Sequence, residues 1–291
     1  MDKNLDYFTQ KKLLYELISV IGYIIIGISF FLWIPLGTSS GGKAIPILLI
    51  GIIGGGIISG ISTKYFKNLS NEFKSKYLPA EIKKIYPNCI YNVTKGFTKE
   101  EIYHSKVLRQ QDRYHSEDFM SGEFEGVQFE SADVNLQDVR SNGKSTTVVT
   151  VFLGRVYKFE FNKPFKSNIL INQPSFFYHL FGWNRIKTES KKFNSELSIY
   201  SDNEHDAFYI LTPHFMERLL VLDRKYHDKI SFSFINNQLY IAINTNRDTF
   251  DLKMFHPLDL SILQEYRNEL NDIKEFVYQL NLDKTLFLDN K

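Results

Sequence analysis

The chain of 291 residues holds a single cysteine, Cys89, so no internal disulfide framework is open to it. It lacks an excess of charge of either sign. Lysine and arginine number 35 and aspartate and glutamate 33, and a formal net charge of +2 gives no general attraction to nucleic acid. The seven histidines include no H-E-x-x-H pair and no close His/Cys cluster, so no metal site and no cofactor are expected. Charge is missing altogether from two long stretches, Leu17 to Gly42 and Ala44 to Thr63, which only Lys43 interrupts. What is present is ample apolar material, 43% hydrophobic and 15% aromatic residues, enough for a sizeable core and too much for disorder. The mean hydropathy of −0.23 averages a very uneven chain.

Each uncharged stretch is long enough, as a helix, to cross about 30 Å of hydrocarbon, which takes roughly 20 residues. A short Gly/Ser turn around Gly37 to Gly42 joins them, and Pro46 falls in the opening turn of the second, where a missing N–H costs least. A buried core helix or a cleaved signal peptide fits two such runs poorly. Lys3, Lys11 and Lys12 precede the first span, and Lys64, Lys67, Lys74, Lys76, Lys83 and Lys84 follow the second, while the connecting loop has Lys43 alone. The expectation is a cell-membrane protein with two spans and both termini cytoplasmic. Gly51, Gly55, Gly56 and Gly60 give small-xxx-small spacings, read as packing of the two spans on each other before dimerisation. No ionisable group lies inside either span, so the lipid bilayer is the partner and the hairpin an anchor; a channel would need an oligomer lined only by Gly, Ser and Thr. The expected organisation is 1–16 cytoplasmic flank, 17–63 two-helix transmembrane hairpin, 64–97 lysine-rich stalk and 98–291 cytoplasmic domain.

The stalk is helical from Tyr65 to Tyr86, with Pro79 and Pro87 as breaks. Thr98-Lys99-Glu100-Glu101 has capping-box spacing for a short helix. Period-two patterning from Phe119 to Phe161, with a turn at Ser141-Asn142-Gly143-Lys144, predicts antiparallel strands. Leu197 with Ile199, and Phe208 with Ile210, predict two short strands about the turn Asp202-Asn203-Glu204. Thr212-Pro213 starts a helix that buries Phe215, Met216, Leu219, Leu220 and Leu222. Strands flank Asn236-Asn237, and a last helix from about Asp259 carries Leu263, Tyr266, Leu270, Ile273, Val277 and Leu280. The order lacks regular βαβ alternation. The fold class is therefore α+β: a transmembrane helical hairpin, then a cytoplasmic domain with a mostly antiparallel sheet and packing helices.

Chemistry-bearing motifs are weak. Gly37-Thr38-Ser39-Ser40-Gly41 matches a nucleophile elbow in spacing only, and Gly143-Lys144-Ser145 precedes a strand where a phosphate loop needs a helix. His115-Ser116-Glu117-Asp118 and Glu204-His205-Asp206 are polar clusters of the kind turns carry. Arg218, beside Glu217, reads as one half of a structural ion pair. No catalytic or ligand-binding residue is assigned. If the chain is an enzyme, its site is assembled from dispersed groups such as His115, Glu117, Asp118, Glu204 and His205.

Four segments, Tyr114 to Gly122, Val151 to Gly154 with Phe159 to Phe161, Ala207 to Leu222 (AFYILTPHFMERLLVL) and Ile230 to Ile243 (ISFSFINNQLYIAI), resemble in that order the bacterial family called domain of unknown function 3137. The resemblance implies a bacterial, membrane-associated protein without an established activity, and LemA-type membrane proteins as a partner. It supplies no catalytic residues. The first functional reading is a non-enzymatic binding or scaffold module on a membrane anchor, with a homo-oligomer open and nucleic acid excluded; the alternative is a membrane-tethered enzyme.

Overall fold

The computed structural model describes residues 3–39, 45–160, 168–173, 183–227, 229–259 and 261–282. The chain divides into two compact units, residues 1–78 with 251–264 and residues 79–250 with 265–291.

The first unit is built on α1 (Lys3–Ser39) and α2 (Ile45–Ile85), whose final turns pass into the second unit. Both helices are long and apolar enough to cross a membrane, by length and composition. At 1.5 Å per residue α1 is about 55 Å long, well beyond a bilayer's hydrocarbon. The helices meet along a seam of small residues. A Cβ on Gly55 would collide with the Gly22 carbonyl oxygen, and one on Gly51 with the Ser29 side chain. Two hydroxyls continue the seam: Ser59 Oγ lies 3.1 Å from Ser19 Oγ, and Ser62 donates to the Tyr15 carbonyl. In lipid, close backbone approach and interhelical hydrogen bonds replace the hydrophobic effect as the source of association. The seam recurs every three or four residues (Gly51, Gly55, Ser59, Ser62), whereas Gly56 and Gly60 lie on the exposed side with nothing within 4 Å of an added Cβ. Of the expected turn, Gly37 to Ser39 close α1 and the remainder lies outside the described residues.

Toward the N-terminus of α1 the seam becomes aromatic. The Phe8 ring meets Phe73 edge-on at 5.2 Å and Tyr77 at 6.0 Å. Pro79 was expected to break the helix; α2 runs through it and stops before Pro87. An interior proline costs about 3 kcal/mol, and here it is flanked by the buried Leu78 and Ile82, whose packing keeps the helix going.

The second unit contains β1 (Ile90–Asn92), α3 (Lys99–His104), β2 (Arg113–Phe124), β3 (Val127–Ser141), β4 (Thr146–Glu160), β5 (Ile169–Asn172), β6 (Asn184–Ile186), α4 (Lys191–Glu196), β7 (Ser198–Ser201), α5 (Glu204–Ile210), α6 (Pro213–Lys225), β8 (Ile230–Ile235), β9 (Gln238–Ile243) and most of α7 (Ser261–Gln279). The strands form one nine-stranded sheet in the order β1-β2-β3-β4-β9-β8-β5-β7-β6, with every neighbouring pair antiparallel. The α+β architecture with an antiparallel sheet is the one expected.

Local signals carry through. Thr98 accepts from the Glu101 N–H and Thr212 from the Phe215 N–H, capping α3 and α6. Asn236 and Asn237 both adopt positive φ, 49° and 63°, as a two-residue hairpin turn requires. One face of the sheet (Ala132, Val134, Leu136, Val156, Ala242) packs with Ile102 of α3 and Phe97. On the other, Phe276 of α7 meets Tyr157 at 5.0 Å and Phe159 at 6.1 Å. One expected strand is wrong: Phe208 and Ile210 lie in the helix α5. Its buried residue Ile210, and Leu211 just beyond its end, follow the buried Ala207 by three and four residues, while Phe208 is exposed.

Candidate functional site

The register of the central strands sets Glu117, Asp133 and Arg155 side by side, because Glu117 of β2 pairs with Asp133 of β3 and Asp133 with Arg155 of β4. A bulge follows between Glu117 and Met120, with Asp118 in the left-handed region at φ 57°. The bulge turns the Asp118 carbonyl toward Arg155, whose Nη2 donates to it at 3.0 Å and to Ser131 Oγ at 3.1 Å. Arg155 Nη1 donates to Asp133 Oδ1 at 2.8 Å, and the guanidinium lies 4.7 Å from the centre of the Phe250 ring. The other carboxylate oxygen of Asp133 accepts from the Thr249 N–H at 2.9 Å, and Tyr91 Oη donates to Asp118. Gly154 precedes Arg155 because any Cβ there would collide with the Ile243 carbonyl oxygen of β9.

Arg155, Asp118 and Asp133 are buried. Burial pushes the Asp133 carboxyl above the usual carboxylate range, against the pull of Arg155. Burial opposes the charge of Arg155 most strongly of any single effect, but Asp133, Tyr157 and Asp118 together outweigh it and hold the guanidinium above its ordinary value. Tyr91 is driven up by burial and by the charge of Asp118. Every group of this cluster is engaged by its neighbours, so the cluster pins the bulge and the 249–250 segment to the sheet. An arginine buried with matched acceptors costs desolvation and returns geometric definition. The sequence offered one signal for it, a lone arginine inside the apolar run TVFLGRVYKF.

Another buried carboxylate stands on α7. Asp272 accepts from Tyr226 Oη at 2.8 Å, with Lys225 Nζ 3.3 Å away, and burial holds its carboxyl above the usual range. Clefts open at the surface among the described residues. One, of about 470 Å³, is lined by Ile90, Ser121, Glu130, Lys158 and Glu160; Lys158 reaches Glu130 at 2.8 Å and Glu101 at 2.9 Å. Another, of about 590 Å³, mixes Lys99, Arg109 and Arg140 with Asp112 and Asp138.

The polar residues singled out from the sequence do not assemble into one site. Glu117 and Asp118 are buried on β2, and His115, 3.6 Å from Glu117, is exposed. Glu204 and His205 are exposed at the start of α5, where the His205 N–H donates to Asn203 Oδ1. Arg218 was expected to pair with a carboxylate; its Nη1 donates to the carbonyls of Tyr278 and Gln279, the last turn of α7, at 3.4 and 2.7 Å. A cation satisfying helix C-terminal carbonyls also meets the negative end of the helix dipole.

In the first unit, residues 251–258 bind along the paired helices. Asp251 is held by Lys74 at 2.5 Å and Lys67 at 2.6 Å, and the Leu252 N–H donates to Ser70 Oγ at 2.9 Å. Burial raises the Asp251 carboxyl, but Lys74 and Lys67 more than offset it and hold it below the ordinary carboxylate range. Farther along, the Phe255 N–H donates to Glu16 at 2.7 Å, and Glu16 also pairs with Lys12.

These features define the class: an apolar two-helix unit coupled in sequence to an antiparallel α+β unit whose charged cluster is internal. Residues 150–282 match the model of the family described as protein of unknown function (DUF3137), the family the sequence resembles. No curated protein matches the chain. Among solved structures, the mycobacterial trehalose monomycolate transport factor A, TtfA, matches with a TM-score of 0.32 and 8% identity over 65% of this chain and 88% of that one. A likeness this slight fixes neither fold nor function.

Proposed function

We propose that the protein is a bacterial two-span membrane protein, both termini cytoplasmic, whose α+β unit is a non-enzymatic binding or scaffold module. The observation that carries this reading is the inverted character of the hairpin. Its inside is small and polar (Gly22, Ser19, Ser29, Gly51, Gly55, Ser59), and its outside is large and apolar, with Phe31 75% and Ile50 71% exposed. That arrangement is unfavourable in water, where apolar surface seeks the interior, and favourable in lipid. The lysines flanking the spans support cytoplasmic termini. The binding role is supported by the cluster at Arg155, which is spent on holding the fold and leaves the α+β unit its surface to work with.

The test is chemical cross-linking in intact membranes carrying the full chain, with mass spectrometry of the linked peptides. The expected result is one reproducible membrane or cytoplasmic partner linked to lysines of the α+β unit, such as Lys99 or Lys144. Substrate turnover by the purified chain, abolished by a single substitution, would overturn the non-enzymatic reading.

A further inference from the structure

The segment 251–258 is fastened to the hairpin at three points: Asp251 on Lys74 and Lys67, the Leu252 N–H on Ser70, and the Phe255 N–H on Glu16. Glu16 is the last charge before the uncharged run of α1. It lies one turn inside the exposed apolar band, for Leu13 and Leu14 are already 53% and 48% exposed. The Phe255 backbone is therefore held at the level where the outer surface of the hairpin turns from polar to apolar. Its side chain is not turned inward to a core; Phe255 is 57% exposed. Its backbone sits at φ 59°, a left-handed conformation that a bulky L-residue rarely adopts. Tyr15 and Tyr65, stacked at 5.9 Å, occupy the adjoining turns of α1 and α2, and Lys64 follows the second apolar run. Aromatic rings with lysines at this depth are how membrane proteins mark the boundary between hydrocarbon and water.

We infer that Met254 and Phe255 form an interfacial anchor, a loop from the far end of the sequence that seats its aromatic ring among phospholipid headgroups beside the hairpin. The inference rests on the membrane reading above and adds a third attachment to it. An apolar ring fixed in water gains nothing from its strained backbone; the same ring in the headgroup layer buries its surface and gives the three fastenings a purpose. Lys253 beside it adds a positive charge, which favours an anionic lipid surface.

The test uses the full chain in vesicles of phosphatidylcholine and phosphatidylglycerol, with nitroxide labels on Phe255→Cys, Phe31→Cys and Gln10→Cys. Cys89 is buried with its thiol pushed up by burial to about 12, so the introduced cysteine is the one that reacts. Depth is read as collision with oxygen relative to a water-soluble nickel chelate. The expected order is Phe31 deepest, Phe255 intermediate with a ratio several-fold above that of Gln10, and Gln10 aqueous. Phe31 deep with Phe255 as aqueous as Gln10 overturns the anchor and leaves the spans standing. Phe31 as aqueous as Gln10 overturns the membrane reading and the anchor with it.

Discussion

At the scale of single residues, Arg155 and Asp251 each have a measurable signature. Arg155 contacts Asp133, Ser131, the Asp118 carbonyl and the Phe250 ring. Arg155→Ala leaves the Asp133 carboxylate buried without its cation, and breaking such a pair costs about 3–5 kcal/mol. The expected result is a large fall in the denaturant midpoint of the α+β unit. Removing both charges, as in Asp133→Leu with Arg155→Met, is expected to recover much of the loss. Asp251 behaves as a pH-dependent clamp. Its folded carboxyl titrates below the unfolded value of about 3.9, so the folded state binds fewer protons there than the unfolded one. Its contribution is complete at neutral pH and is lost as the pH falls below about 4. Thermal unfolding of the detergent-solubilised chain between neutral and acid pH should show this loss, and Asp251→Asn should flatten it.

At the scale of elements, the seam between α1 and α2 separates glycines that the sequence alone treats alike. Gly51 and Gly55 face α1 and admit no Cβ, while Gly56 and Gly60 face outward. Gly55→Leu is expected to part the helices and abolish the disulfide of a Ser19→Cys, Ser59→Cys pair, whereas Gly56→Leu should leave that disulfide unchanged. An equal effect of both substitutions would contradict the seam described here. The same contrast explains what was legible beforehand. Signals written in adjacent residues, such as Thr212-Pro213 or Asn236-Asn237, read correctly because capping and positive φ are settled locally. The α5 segment misread as a strand because Phe208 and Ile210 alternate in hydrophobicity, although the residues that reach the core are Ala207, Ile210 and Leu211. The cluster at Arg155 was illegible because its partners Ser131, Asp133 and Thr249 come together only through strand register and the path of a distant loop.

At the scale of the whole molecule, the chain joins a unit whose large apolar residues point outward to one whose apolar residues fill both sides of a sheet. That division is readable from charge alone, since no charged side chain interrupts Leu17 to Gly42 or Ala44 to Thr63. On the function proposed above, the hairpin would fix the place and the sheet unit would present surface to a partner. The most direct measurement of this account is maleimide labelling of single cysteines in intact bacterial cells with a membrane-impermeant reagent. Thr38→Cys, at the end of α1 between the two apolar runs, should label in intact cells, and Ser75→Cys, exposed on α2 beyond the second run, only after lysis. Labelling of both sites only after lysis, with the protein recovered in the soluble fraction, would contradict it.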